Sequence, residues 1–389
     1  MSDPRTLRIL SLDGGGMRGY ISATFLKLFI QQWGINPNEI WKYFDVIAGS
    51  SIGGIQALGY AMGLSPTDLQ GFFTTDGPWI FTTNPGTPSV MPSTLSKINT
   101  IVGGPFHNPT FYPSDVAGIG TMRLKSKLDS VFGVQTLQDV NTNVVITSFE
   151  KNDVETDFSQ TTNTPIYFSN SIIVPILTGQ NNLIADVAMA TSAAPLYFAP
   201  WTIGTDNYID GGVTQNNPSS FAYAIAKAIK PIANRYCILS LGTGLGDVGF
   251  AVSPPVVRKA RQEIIELRAN PELFAKKWCL TTKKLQEVQE LANNLENLEI
   301  LEGAYLIMYL IGAMTAGPQE IVAKELEIES LYTLDNLFNY RMQYYLDPLL
   351  NTELDNSTPE ILTYYENSVT TYFNNDIQNI TNFISHLIA

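Results

Sequence analysis

Two short apolar runs, each ending in glycine and each followed by a helical stretch, constrain this chain more than any other feature. Leu7–Leu12 (LRILSL) reads as a buried strand that runs into Gly14, Gly15 and Gly16, then into an amphipathic stretch from about Met17 to Trp33. Phe44–Ala48 (FDVIA) repeats the pattern, with glycines and an Ala/Gly-rich helical stretch from Gly53 to Gly63 behind it. Val144–Phe149, Pro165–Phe168, Tyr208–Ile209 and Cys237–Leu241 are further strand candidates. Near-continuous apolar strands alternating with helices imply a mostly parallel sheet covered on both faces. The expected fold is therefore α/β, a three-layer α/β/α arrangement.

After Pro255 the chain reads as helical to its end, with Leu285, Val288, Ala292 and Leu295 at helical spacing. No linker composition appears near residue 250. We therefore read 1–389 as one domain: a catalytic-type core over 5–250 and a C-terminal helical cap over 255–389. Between Thr74 and Asp115 the pattern breaks into a Pro-, Gly-, Thr-, Asn- and Ser-rich segment carrying Trp79, Phe81, Phe106, Phe111 and Tyr112. Such a segment is either a surface excursion capping the sheet or a lid over a site.

Gly49-Ser50-Ser51-Ile52-Gly53 is a G-x-S-x-G sequence at the junction of a strand and a helix. In that context it is a nucleophile elbow: Gly49 and Gly53 permit a turn tight enough to present Ser51 Oγ at the top of the sheet. Gly14, Gly16 and Gly19 match the dinucleotide fingerprint, but that fingerprint also needs an acid ending the next strand. Here that strand ends in Ala48 and leads to the elbow. The other reading, an oxyanion hole built from backbone N–H groups, fits this placement better. Asp210-Gly211-Gly212 follows Tyr208–Ile209, which leaves a carboxylate at a strand end. A serine needs a base. The chain has 2 histidines, His107 in the Pro-rich segment and His386 near the C-terminus, where fraying is expected. Asp210 is the better candidate for a direct base; its plain alternative is a turn-capping aspartate.

These blocks resemble the patatin-like phospholipases. The likeness rests on LDGGGMRG at 12–19, FDVIAGSSIGG at 44–54, ATSAAPLYFAP at 190–200, YIDGGVTQNNPS at 208–219 and LSLGTG at 239–244, and extends to YRMQ at 340–343. It implies a lipid acyl hydrolase of phospholipase A or lysophospholipase type with a Ser51–Asp210 dyad. It further implies an oxyanion hole from Gly14, Gly15 and Gly16, with Arg18 as the basic residue beside that loop. No metal or other cofactor is expected on this resemblance. The long insert at 74–115 departs from the family pattern.

Composition bounds the partners. A net charge of -13 argues against nucleic acid. Two cysteines, Cys237 and Cys279, make no disulfide framework. No signal peptide is visible, and the longest apolar run, about Ala304–Met314, is short of the roughly 20 residues that span a bilayer. A cytoplasmic or peripherally membrane-associated protein is expected. Residues 256–284 carry eight basic and three acidic residues, net +5, with Phe274 and Trp278 among them. That stretch is either a solvated helix face or a dock for anionic lipid. The competing functions are a catalytically inactive lipid- or partner-binding protein on this scaffold and a His-containing triad esterase.

Overall fold

The computed structural model describes residues 6–81, 119–152, 162–195, 197–245, 265–277, 319–331, 336–347 and 354–389, with a few single positions between them. Nine described strands form one sheet. They are β1 (Thr6–Leu12), β2 (Val46–Ser50), β3 (Asn143–Asn152), β4 (Thr162–Phe168), β5 (Leu177–Thr178), β6 (Trp201–Ile203), β7 (Asp206–Asp210), β8 (Arg235–Leu241) and β9 (Asn336–Met342). The main path runs β5-β4-β3-β2-β1-β8-β9, with β7 on β3 and β6 on β7. The central pairs β3/β2, β2/β1, β1/β8 and β8/β9 are all parallel.

The apolar runs explain the layers. Alternate residues of the central strands are buried in separate cores. Leu10, Leu12, Ile47, Val144, Ile146 and Leu239 enter one; Leu7, Ile9, Val46, Ala48, Val145 and Ile238 enter the other. The first core is covered by α1 (Gly19–Trp33), α2 (Ile52–Ala61), α3 (Ile119–Phe132) and α4 (Ile184–Ser192). Across the sheet, α5 (Ser219–Ile229) contributes Ala222, Tyr223, Ile225 and Ala226 to the second core. The α/β/α layering expected from the sequence is present.

The C-terminal part departs from expectation in two ways. First, it does not stay helical: β9 lies parallel to β8 and extends the sheet. Second, the terminus is packed. The helices α6 (Pro359–Asn375) and α7 (Ile377–Ile388) place Phe373, Phe383 and Leu387 in the same core as α1. Phe25 of α1 stacks on Tyr340 of β9 at 6.1 Å and meets Phe373 edge-on at 5.5 Å. Aromatic pairs of this kind add about 0.5–1.5 kcal/mol each beyond the area they bury. Of the basic segment 256–284, residues 265–277 are described; there Pro271–Lys277 is a helix, and Lys277 pairs with Glu266 at 2.7 Å. Residues 82–115 of the 74–115 insert lie outside the described residues.

Candidate active site

The elbow forms where β2 meets α2. Ser51 has φ 55° and ψ -127°, and is the one non-glycine residue with positive φ among those described. Backbone in that region is strained, and such strain is held only where surrounding contacts enforce it. Here Ser51 N–H donates to Thr191 Oγ1 at 2.9 Å, and Ser51 C=O accepts from Gly54 and Ile55. Gly53 is required by proximity: a Cβ there would run into the carbonyl oxygens of Leu12 and Asp13. The elbow and the end of β1 thus touch backbone to backbone.

β3 brings the aspartate to the serine. Ser50, ending β2, stands opposite Thr147, and Asp210, ending β7, stands opposite Ser148. Because β2 is parallel and β7 antiparallel to β3, the two strand ends meet head to head along one edge of it. Ser51 Oγ donates to Asp210 Oδ2 at 2.5 Å. Gly212 N–H donates to Asp210 Oδ1 at 2.7 Å. The end of α4 braces the pair from behind, since Gly211 N–H donates to Thr191 C=O and Asp210 N–H to Ala193 C=O, both at 3.1 Å. Burial raises the Asp210 pKa to about 6, against the lowering effect of the Ser51 and Gly212 hydrogen bonds. A carboxylate poised near neutrality and touching a hydroxyl can accept its proton.

The glycine loop lies on the other side of Ser51. Gly14 N–H donates to Asn216 C=O at 3.1 Å, and Gly14 C=O accepts from Thr243 Oγ1 at 2.8 Å and Asn216 Nδ2 at 3.2 Å. Gly14 therefore serves as an anchor. The amides of Gly15 and Gly16 carry no hydrogen bond among the described residues, and both residues line the same cavity as Ser51 and Asp210. Gly16 has φ +54°, a conformation that suits glycine, and a Cβ there would meet Leu354. A short 3-10 turn, Gly16–Arg18, then leads into α1. Both α1 and α2 point their N-termini at this region, which favours negative charge there.

Arg18 lines the cavity, and its Nε has no hydrogen-bond partner among the described residues. Burial lowers its pKa, opposed by Tyr365 and Tyr197 nearby. The cavity holds about 840 Å³ of empty space, counting its open mouth. Beyond Ser51 its wall is apolar, with Met17, Ile55, Phe72, Phe73, Ile80 and Leu124. An apolar pocket beside an activated hydroxyl accommodates a hydrocarbon chain whose polar end lies at Ser51.

His386 is elsewhere. It stacks on Phe338 at 3.9 Å and contacts Arg235 at 3.1 Å. Arg235 begins β8, opposite Thr6, whereas Ser51 follows the other end of the sheet, so the length of a seven-residue strand, roughly 20 Å, separates them. His107 lies outside the described residues. Four side chains not singled out from sequence prove central: Thr191, Asn216, Thr243 and Arg341. All four stood within the family-like blocks at 190–200, 208–219, 239–244 and 340–343, but only contacts reveal what they hold.

Elbow, facing aspartate and glycine loop thus come together at one edge of a mostly parallel α/β sheet. The patatin-like phospholipase family model matches residues 10–223, and the chain belongs to that family. It is similar to the cGAMP-activated phospholipase of Vibrio cholerae serotype O1, 33% identical over 220 residues that cover 55% of this chain and 56% of that one. Patatin-like protein 1 of Arabidopsis thaliana is 28% identical over 269 residues, covering 61% and 58%. The cGAMP-activated phospholipase of Escherichia coli is 28% identical over 271 residues, covering 67% of each chain. The match to the first two spans a little over half of their length.

Proposed function

We propose that this protein hydrolyses ester bonds of acyl lipids, phospholipids or lysophospholipids, through a Ser51–Asp210 dyad. The observation that carries the reading is the 2.5 Å hydrogen bond from Ser51 Oγ to a buried Asp210 whose pKa sits near 6. Family membership and phospholipase-named relatives support the substrate class.

The reaction runs in two halves. Asp210 takes the Ser51 proton as Oγ attacks the ester carbonyl carbon. The oxygen that gains charge meets the N–H groups of Gly15 and Gly16, fixed donors that lie there before the reaction begins. Arg18 adds positive charge at the edge of the loop. The intermediate collapses, Asp210 passes its proton to the departing alcohol, and the acyl group stays on Ser51. Asp210 then deprotonates a water that attacks the acyl carbon. The proton returns to Oγ and the fatty acid leaves. The apolar wall holds the acyl chain throughout.

The test is product analysis by mass spectrometry on a mixed lipid panel, comparing wild type with Ser51→Ala and Asp210→Asn. Arms with and without cGAMP are included because two relatives are named for activation by it. Release of fatty acid by wild type alone supports the dyad. A fluorophosphonate that fails to label Ser51 in folded protein indicates a binding protein on a hydrolase scaffold, and an active Asp210→Asn removes Asp210 as the base.

A further inference from the structure

Arg341 lies on β9, well outside residues 10–223 that the family model matches. Its side chain crosses β8 and reaches the residue that opens the glycine loop. Arg341 Nη1 donates to Asp13 Oδ1 at 2.9 Å and Nη2 to Asp13 Oδ2 at 2.5 Å, a bidentate pair joining positions 328 apart in sequence. On the way, Nη1 also donates to Ser240 Oγ at 2.9 Å. The registers explain the reach: Ser11 of β1 pairs with Ser240 of β8, and Ser240 pairs with Arg341. Asp13 lies just beyond β1 and is fully buried.

We propose that Arg341 is a positioning residue for the oxyanion loop, clamping Asp13 so that the Gly15 and Gly16 amides are held on the oxygen that gains charge at Ser51. The inference rests on the ester-hydrolase reading above. Three observations carry it. The clamp ends one residue before Gly14, whose own amide and carbonyl are tied to Asn216 and Thr243. Asp13 N–H is tied to Leu241 C=O at 3.0 Å. The loop is thus fastened on its upstream side by backbone and carboxylate together, while the two amides past the fastening have no partner among the described residues.

Charge gives the second reason. A bare carboxylate beside an oxyanion site would oppose the negative charge forming there; a guanidinium paired with it removes that opposition. Burial pushes the Asp13 carboxyl upward, and Arg341 works against that shift. Stability alone is a poor explanation for the pair, because buried ion pairs are often no more stabilising than neutral residues of similar volume. The bidentate fork also fixes orientation in a way a lysine cannot.

The experiment compares wild type, Arg341→Lys and the double variant Asp13→Asn/Arg341→Met. It reads melting temperature, kcat and KM on a soluble p-nitrophenyl ester, and the rate at which a fluorophosphonate labels Ser51. Misplacing a catalytic donor by about 1 Å costs up to roughly a hundredfold. Both variants should stay folded, with kcat and labelling rate lowered about 10- to 100-fold and KM within about twofold. A folded variant of either kind that labels and turns over at the wild-type rate overturns the proposal. So does a loss of kcat that only tracks a loss of folded protein. If wild-type Ser51 itself does not label, the hydrolase reading fails first and the inference falls with it, an outcome distinct from normal labelling in the variants.

Discussion

Ser51 and Asp210 are 159 residues apart along the chain, and their side chains meet at 2.5 Å because neighbouring positions of β3 hold the two strand ends that carry them. Thr147 pairs with the residue before the serine, and Ser148 with the aspartate itself. Neither side chain has to search for the other once the sheet has formed.

The Asp210 pKa of about 6 predicts the pH dependence of activity. The base must be ionised to take the Ser51 proton, so kcat/KM should be level above pH 7 and fall about tenfold per pH unit well below pH 6. A profile flat down to pH 4.5 would show that Asp210 is not the base.

The same shift predicts an effect on stability. Folding raises the Asp210 pKa from its ordinary 3.8 to about 6, so the folded state favours the protonated form. Stability is therefore lost as pH rises through that window and stays reduced above it. Asp210→Asn removes the charge while keeping the shape. At pH 8 it should be more stable than wild type, by ~3 kcal/mol at most, and the gain should vanish near pH 4. Thermal unfolding at the two pH values checks this, and an equal difference at both would contradict the linkage.

Gly53→Ala should damage the site through backbone, not chemistry. Its Cβ would collide with the carbonyls of Leu12 and Asp13, which lead into the glycine loop. Overpacking of this kind costs about 1–3 kcal/mol. The variant should melt lower and label more slowly at Ser51, although no reactive group has been removed. Wild-type melting and labelling would show that the contact relaxes at no cost.

His386→Ala should leave ester hydrolysis intact. The ring stacks on Phe338 and contacts Arg235 at the far end of the sheet, so its loss should cost about 0.5–1.5 kcal/mol of stability. A folded but inactive His386→Ala would restore the histidine triad.

Much of this was legible in the chain. Leu7–Leu12 and Phe44–Ala48 read as strands because both faces of the strands there, Thr6–Leu12 and Val46–Ser50, are buried, so apolar residues are nearly continuous. The elbow was legible because its glycines answer a local steric need at a fixed spacing around Ser51. β9 was not legible. Its sequence NLFNYRM is half polar and its burial uneven, so neither continuity nor strict alternation marks it, and the stretch passed as part of a helical cap. Among the described residues of 255–389, β9 is thus joined to the sheet while α6 and α7 pack into its core.

Asp210 was reached by elimination among possible bases, but its buried environment and its register on β3 were not in the sequence. Gly14 illustrates the limit most closely. As one of three successive glycines it reads like a donor to the oxyanion, yet its amide is spent on Asn216, and the amides without a partner among the described residues belong to Gly15 and Gly16. Which residues have chemistry to offer, and which turns must be tight, follow from side-chain type and local sterics, and the sequence by itself determined them. Which amide points where, how far a carboxyl is raised, and that Arg341 reaches Asp13 across a whole strand depend on contacts between distant segments. Only the packed tertiary structure decided those, because hydrogen-bond direction and burial exist only once the neighbours are in place.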